Sequence, residues 1–122
     1  MHKILIVDDE HVVLDTRVIL FKSAGYDARA ALSAEEALEL IANWCPDLAV
    51  LDVVLPKMNG IDLAILLRAR YPNCIIALSS GHPATDGLLA AAAASGHAFQ
   101  LVVKPAHPQE LLSLAEQLGR AK

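Results

Sequence analysis

A chain of 122 residues, 55% hydrophobic but only 4% aromatic, has room for one domain with an aliphatic core, and a single domain over residues 1–122 is expected. Its formal charge of −4 and its lack of any basic cluster argue against a nucleic-acid surface. No stretch reaches the ~18 uninterrupted apolar residues of a membrane span, and the apolar run after Met1-His2-Lys3 is too short for a signal segment.

In chain order, Ile4-Leu5-Ile6-Val7 opens as a short continuous apolar run, the pattern of a strand buried on both faces. Leu14, Val18 and Phe21 come next at helical spacing, and Gly25 stands where that helix should stop. Asp27 to Ala31 alternates polar and apolar residues and reads as an edge strand. Ser33 with Glu36 forms a capping-box pattern, opening a helix striped by Ala34, Ala37, Leu38 and Ile41. A second buried run, Leu48-Ala49-Val50-Leu51, leads to Asp52. A third helix begins after Asn59-Gly60 with Leu63, Leu66 and Leu67 inward. Cys45 and Cys74 flank these elements as lone thiols with no disulfide or metal spacing. Such residues are usually buried small hydrophobes and suit a reducing cytosol.

Ile75-Ile76-Ala77-Leu78 is the fourth strand, ending in Ser79-Ser80-Gly81. The alanine-rich segment from Leu88 to Ala94, between Gly87 and Gly96, is a fourth helix and is expected to be the most mobile one. Leu101-Val102-Val103 is the fifth strand, leading into Lys104-Pro105. Pro108 suits the first turn of a last helix carrying Leu111, Leu114, Ala115 and Leu118, which is expected to reach about Gly119 without an output domain after it. Five alternating strand–helix units predict a parallel, doubly wound α/β sheet with helices on both faces. A polar second strand at the edge favours the order 2-1-3-4-5, with the switch point between strands one and three.

Chemistry in such a sheet belongs beyond the carboxyl ends of the strands. The strand ends there carry Asp8-Asp9-Glu10, Asp52, Ser79-Ser80-Gly81 and Lys104-Pro105. Taken singly, each is ordinary loop or cap chemistry. Together they place several carboxylates, a hydroxyl and an ammonium at one edge. Clustered carboxylates repel, and a hard divalent cation such as Mg²⁺ relieves the repulsion while leaving places for phosphate oxygens. An aspartate beside such a cation and a lysine can attack phosphorus.

These residues are where the chain resembles the response-regulator receiver family of two-component signalling, and the likeness covers essentially all of it. Ile4 to Glu10 is similar to the family's opening motif. Leu51 to Gly60 is similar to its phosphoacceptor motif, with proline four and glycine eight positions past the aspartate, and Val102 to Pro105 to its closing motif. The resemblance implies a flavodoxin-like fold and a phosphorylation-controlled switch that catalyses only its own phosphorylation and slow dephosphorylation. It implies Asp52 as phosphoacceptor, and Mg²⁺ bound by Asp8, Asp9, Asp52 and the Val54 backbone carbonyl. Lys104 would meet the phosphoryl oxygens, its approach fixed by a cis Lys104-Pro105 bond. Ser80 would be the switch hydroxyl, with Ser79 the weaker candidate. The implied partners are a sensor histidine kinase or histidine phosphotransfer protein as donor and an output partner or domain. The implied signalling surface comprises helix four, strand five and helix five, without membrane or direct nucleic-acid contact.

The sequence departs from the family pattern at several points. Leu101 stands three residues before the lysine, where the family usually keeps an aromatic, and Phe99 is displaced by two. The segment from Gly96 to Lys104 looks one residue longer than usual, and Ala106 replaces the bulky residue that often comes after Lys-Pro. Val54 and His82 occupy positions that modulate phosphoryl lifetime in this family. Val54 also stands where phosphatases of the haloacid-dehalogenase type carry a second aspartate. The alternative to an active switch is a degenerate receiver acting as a constitutive interaction module.

Overall fold

The computed structural model describes residues 2–81, 96, 99–104 and 106–120. Its elements are β1 (Lys3–Val7), α1 (His11–Ser23), β2 (Asp27–Ala31), α2 (Ala34–Ile41), β3 (Leu48–Asp52), α3 (Gly60–Arg70), β4 (Ile75–Ser80), β5 (Gln100–Val103) and α4 (Pro108–Arg120). The fourth helix expected over Leu88 to Ala94 lies outside the described residues, so α4 denotes the last helix. The five strands form one parallel sheet in the order β2-β1-β3-β4-β5. The switch point falls between β1 and β3, and the polar strand β2 occupies an edge, as its composition requires.

Alternation along each strand divides the core into two. Leu5, Val7, Ala49, Leu51, Ile76 and Leu78 pack against α2 and α3, with Ala37, Ile41, Leu63 and Leu67. Ile4, Ile6, Leu48, Val50 and Ala77 pack against α1 and α4, with Leu14, Phe21, Leu111 and Leu118. Each of these strand residues is essentially inaccessible to water, which explains why the strands read as continuous apolar runs.

Local chemistry sets the ends of the elements. Ser33 Oγ accepts from Glu36 N at 3.2 Å, but Glu36 reaches back to Leu32 N at 2.6 Å, one residue before the cap that a capping box would satisfy. Asn59 caps α3 by accepting from Asp62 N at 2.9 Å. Gly25, at φ 95, ends α1 in the left-handed region.

Two expectations need correction. Leu66 is 46% exposed, because the face α3 turns to the sheet is centred on Gly60, Leu63, Ala64 and Leu67, and Leu66 lies well round the helix from it. Cys45 is exposed in the loop before β3, and only Cys74 is buried. The fourth strand ends in its serines as expected: pairing of Asp52 with Ser79 and of Ser80 with Val103 carries β4 through both.

Candidate functional site

The parity that builds the core also aims the polar residues. Asp8 continues the Ile4, Ile6 series, Asp52 the Leu48, Val50 series and Ser79 the Ile75, Ala77 series, so all three point toward the α1 and α4 side. Asp8 is fully buried, Asp52 is 4% exposed and Ser79 is fully buried. Asp8 N donates to Ala31 O, and one oxygen of its carboxylate accepts from Glu10 N at 2.9 Å. Asp52 Oδ1 accepts from Val54 N at 3.2 Å.

Lys104 joins the two carboxylates. Its Nζ donates to Asp8 Oδ2 at 2.9 Å and to Asp52 Oδ2 at 3.1 Å, and lies 3.8 Å from Glu10 Oε1. The junction beneath Asp52 is equally tight. Gly60 N donates to Val53 O, and a Cβ at Gly60 would lie 1.9 Å from the Asp52 carbonyl oxygen. The glycine eight positions past the aspartate is therefore required by backbone proximity, since any side chain would push β3 from α3.

Above these groups lies a cavity of about 350 Å³ lined by Asp9, Glu10, Asp52, Val54, Gly81 and Lys104. At its mouth, oxygens of Asp8, Asp9 and Glu10 all fall within 4.8 Å of one another, with Asp8 buried and the other two exposed. Hard carboxylate oxygens, one of them buried and two open to solvent, suit Mg²⁺ or a similar hard cation that keeps part of its water shell. Glu10 belongs to this cluster, although the opening motif suggests only Asp8 and Asp9 as ligands.

The electrostatics are those of a charge-dense site whose inner carboxylates are buried. Burial holds the Asp52 carboxyl above its ordinary value. The Lys104 hydrogen bond opposes this, while the neighbouring Asp8 charge reinforces it. Burial pulls the Lys104 ammonium down, but hydrogen bonds to Asp8 and Asp52 outweigh it and leave its pKa raised. A further residue enters from α1. Arg17, only 4% exposed, donates from one guanidinium nitrogen to Ser79 Oγ at 3.1 Å and lies 3.9 Å from Asp8 Oδ2 with the other. Its position between Leu14 and Phe21 on the helical stripe is a legible signal: a cation where the core face expects an aliphatic residue.

The remaining expected site residues are placed unevenly. Asp9 is exposed, and Val54 is 44% exposed beside the cavity. Ser80 ends β4 opposite Val103, while its side chain, His82 and Pro105 with the expected cis bond lie outside the described residues. Leu101, in the aromatic's usual place, is 47% exposed on β5, and Phe99 packs instead under the Arg68 guanidinium, 4.4 Å from its ring centre.

Residues 4–116 match the family of the response regulator receiver domain. The chain belongs to this family. Its receiver sequence is 32% identical over 111 residues to the DNA-binding response regulator MtrA of Mycolicibacterium smegmatis, covering 91% of this chain and 47% of that protein. It is 34% identical over 121 residues to the regulatory protein VanR of Enterococcus faecium, covering 98% and 51%. The chain thus spans about half the length of these curated relatives. The crystal structure of a CheY-like receiver domain protein from Methanospirillum hungatei superposes with a TM-score of 0.87 at 28% identity, covering 98% of this chain and 95% of that one. Receiver domains regulate signalling and are not enzymes in the ordinary sense. Among the described residues of this receiver, no helix is long and apolar enough to cross a membrane.

Proposed function

We propose that this chain is a single receiver domain that accepts a phosphoryl group on Asp52 with Mg²⁺ bound at Asp8, Asp9, Asp52 and the Val54 carbonyl. The observation carrying this reading is the bridge from Lys104 Nζ to both Asp8 and Asp52, beside three convergent acidic side chains. In the transfer, an Asp52 oxygen forms an O–P bond as the P–N bond to a donor phosphohistidine breaks, and the electron pair returns to the donor imidazole. A bound Mg²⁺ would offset charge on the phosphoryl oxygens. Lys104 moves from its carboxylate partners to those oxygens, and the Val54 N–H keeps the Asp52 carboxylate oriented. Ser80 would track the phosphoryl group and bias the surface of the fourth predicted helix, β5 and α4. The donor would be a sensor histidine kinase or histidine phosphotransfer protein, acting in the cytoplasm, and the output partner would read the altered surface.

The test is uptake of beryllofluoride, a phosphoryl analogue, monitored by fluorine NMR. One equivalent per chain, dependent on Mg²⁺ and lost in Asp52→Asn, is expected; equal uptake by Asp52→Asn would overturn the assignment. A constitutive interaction module is the second reading, favoured by the half-exposed Leu101 where an aromatic relay would stand. Equal partner affinity for wild type and Asp52→Ala, with and without a phosphodonor, would select it.

A further inference from the structure

The α1 stripe that packs on the sheet runs Leu14, Arg17, Phe21, and only its middle member is charged. Arg17 makes one side-chain hydrogen bond among the described residues, to Ser79, and its NH1 group has no hydrogen-bond partner although it is buried. Burying an ionised group with an unfilled donor is unfavourable unless a field of opposite charge compensates it. That field is present: Asp8 lies 3.9 Å away, and Asp52 and Glu10 also act on the guanidinium, opposing the loss of basicity that burial imposes. Arg17 keeps its proton throughout.

The consequence appears in the charge balance of the interior. Asp8 and Asp52 carry two negative charges, and Lys104 and Arg17 carry two positive ones. With an aliphatic residue at position 17 the buried set would be net negative and would draw a cation strongly. With Arg17 it is neutral before any metal arrives, leaving exposed Asp9 and Glu10 as the unneutralised attraction.

We propose that Arg17 is a positioning residue that acts through Asp8: a resident cation beside Oδ2 of the buried carboxylate that weakens Mg²⁺ binding. This rests on the proposed assignment of the acidic cluster to Mg²⁺. Lys104 is drawn toward the incoming phosphoryl group, whereas Arg17 stays with Asp8 and Ser79. When Lys104 leaves Asp8, Arg17 becomes the cation that keeps Asp8 compensated.

The experiment compares the intact chain with Arg17→Met, Arg17→Gln and Arg17→Lys by Mg²⁺ titration calorimetry, with beryllofluoride uptake measured across Mg²⁺ concentrations. Removing a unit charge beside the ion should tighten Mg²⁺ binding about tenfold in both neutral variants, while the lysine variant stays within about twofold of wild type. Beryllofluoride uptake by the neutral variants should reach its midpoint at correspondingly lower Mg²⁺. Unchanged or weaker Mg²⁺ affinity in a folded neutral variant overturns the proposal. Arg17→Gln keeps a donor for Ser79 and so supplies the neutral state if Arg17→Met does not fold. Unfolding of both neutral variants while Arg17→Lys folds would assign a structural role and overturn it too. A wild type that binds neither Mg²⁺ nor beryllofluoride defeats the underlying site assignment, whereas a binding wild type with unaltered neutral variants defeats only the role of Arg17.

Discussion

The two sides of the sheet are made of the same aliphatic residues but tolerate charge differently. Toward α2 and α3 the interior carries no buried charge among the described residues, and from Leu5 and Leu51 to Leu63 and Leu67 it is apolar apart from the buried Trp44 Nε1. Toward α1 and α4 the apolar packing gives way, near the carboxyl ends of the strands, to Asp8, Asp52, Ser79 and Arg17, each at most 4% exposed. The reason is register. Even-numbered residues of β1 and β3 face α1, and continuing that parity to the strand ends puts the carboxylates on this side. A sheet can therefore confine its reactive polarity to one face while the other holds it rigid.

The strongest way to break this division is to disturb the rigid side where it touches the reactive one. Gly60→Val would drive a side chain into the Asp52 carbonyl, and α3 cannot shift without opening the junction with β3. A loss of more than about 4 kcal/mol is expected, read by urea denaturation. A variant of near-native stability would show that the close approach is not constraining. Next come paired truncations, one on each side. Leu63→Ala should cost about 3–4 kcal/mol, because Leu63 is fully enclosed by the α2/α3 core. Leu111→Ala should cost nearer ~2 kcal/mol, because Leu111 lines a cleft of about 550 Å³ between α1 and α4 into which water can relax. Equal losses would erase the distinction between a sealed and an open side.

Asn59→Ala is a smaller perturbation. It removes the cap of the helix that carries Gly60 against Asp52. About 1 kcal/mol of stability should be lost by thermal unfolding, with beryllofluoride still bound, since the cap touches no group of the cavity. Loss of binding out of proportion to stability would mean that α3 transmits strain to Asp52.

Much of this arrangement is legible in the sequence, and for identifiable reasons. Buried parallel strands read as apolar runs, and a polar edge strand reads as alternation, so the polar pattern of Asp27 to Ala31 is enough to favour the order β2-β1-β3-β4-β5. Asp8, Asp52 and Lys104 are legible because strand ends lie at one edge. Glu10 escapes such a reading because a third consecutive acid looks like loop composition, and Leu66 misleads it because a helical stripe fixes its centre less well than its period. Arg17 escapes because pattern reading records apolar positions and ignores a charge that interrupts them. The pairing of that charge with Ser79, 62 residues away, exists only in three dimensions.

The smallest effect tests the apolar side with a charge of its own. Burial pushes the Cys74 thiol from 9.0 up to about 12, with nearby Cys45 and Asp47 adding to the rise. Because the folded value lies above the unfolded one, the folded state binds more protons between them. Stability that is fully present below pH 9.0 is therefore lost as pH climbs from there toward 12. At pH about 9.5 the loss should be about 0.8 kcal/mol in wild type and absent in Cys74→Ala, measured by thermal unfolding of both across the alkaline range. Below that range Cys74→Ala shows only the loss from its smaller side chain. Exposed Cys45 should react with a thiol reagent at neutral pH while Cys74 does not. A side that accepts a thiolate at position 74 without this alkaline slope would not be the dry partner of the charged face, and the contrast between the two sides would fail at its weakest point.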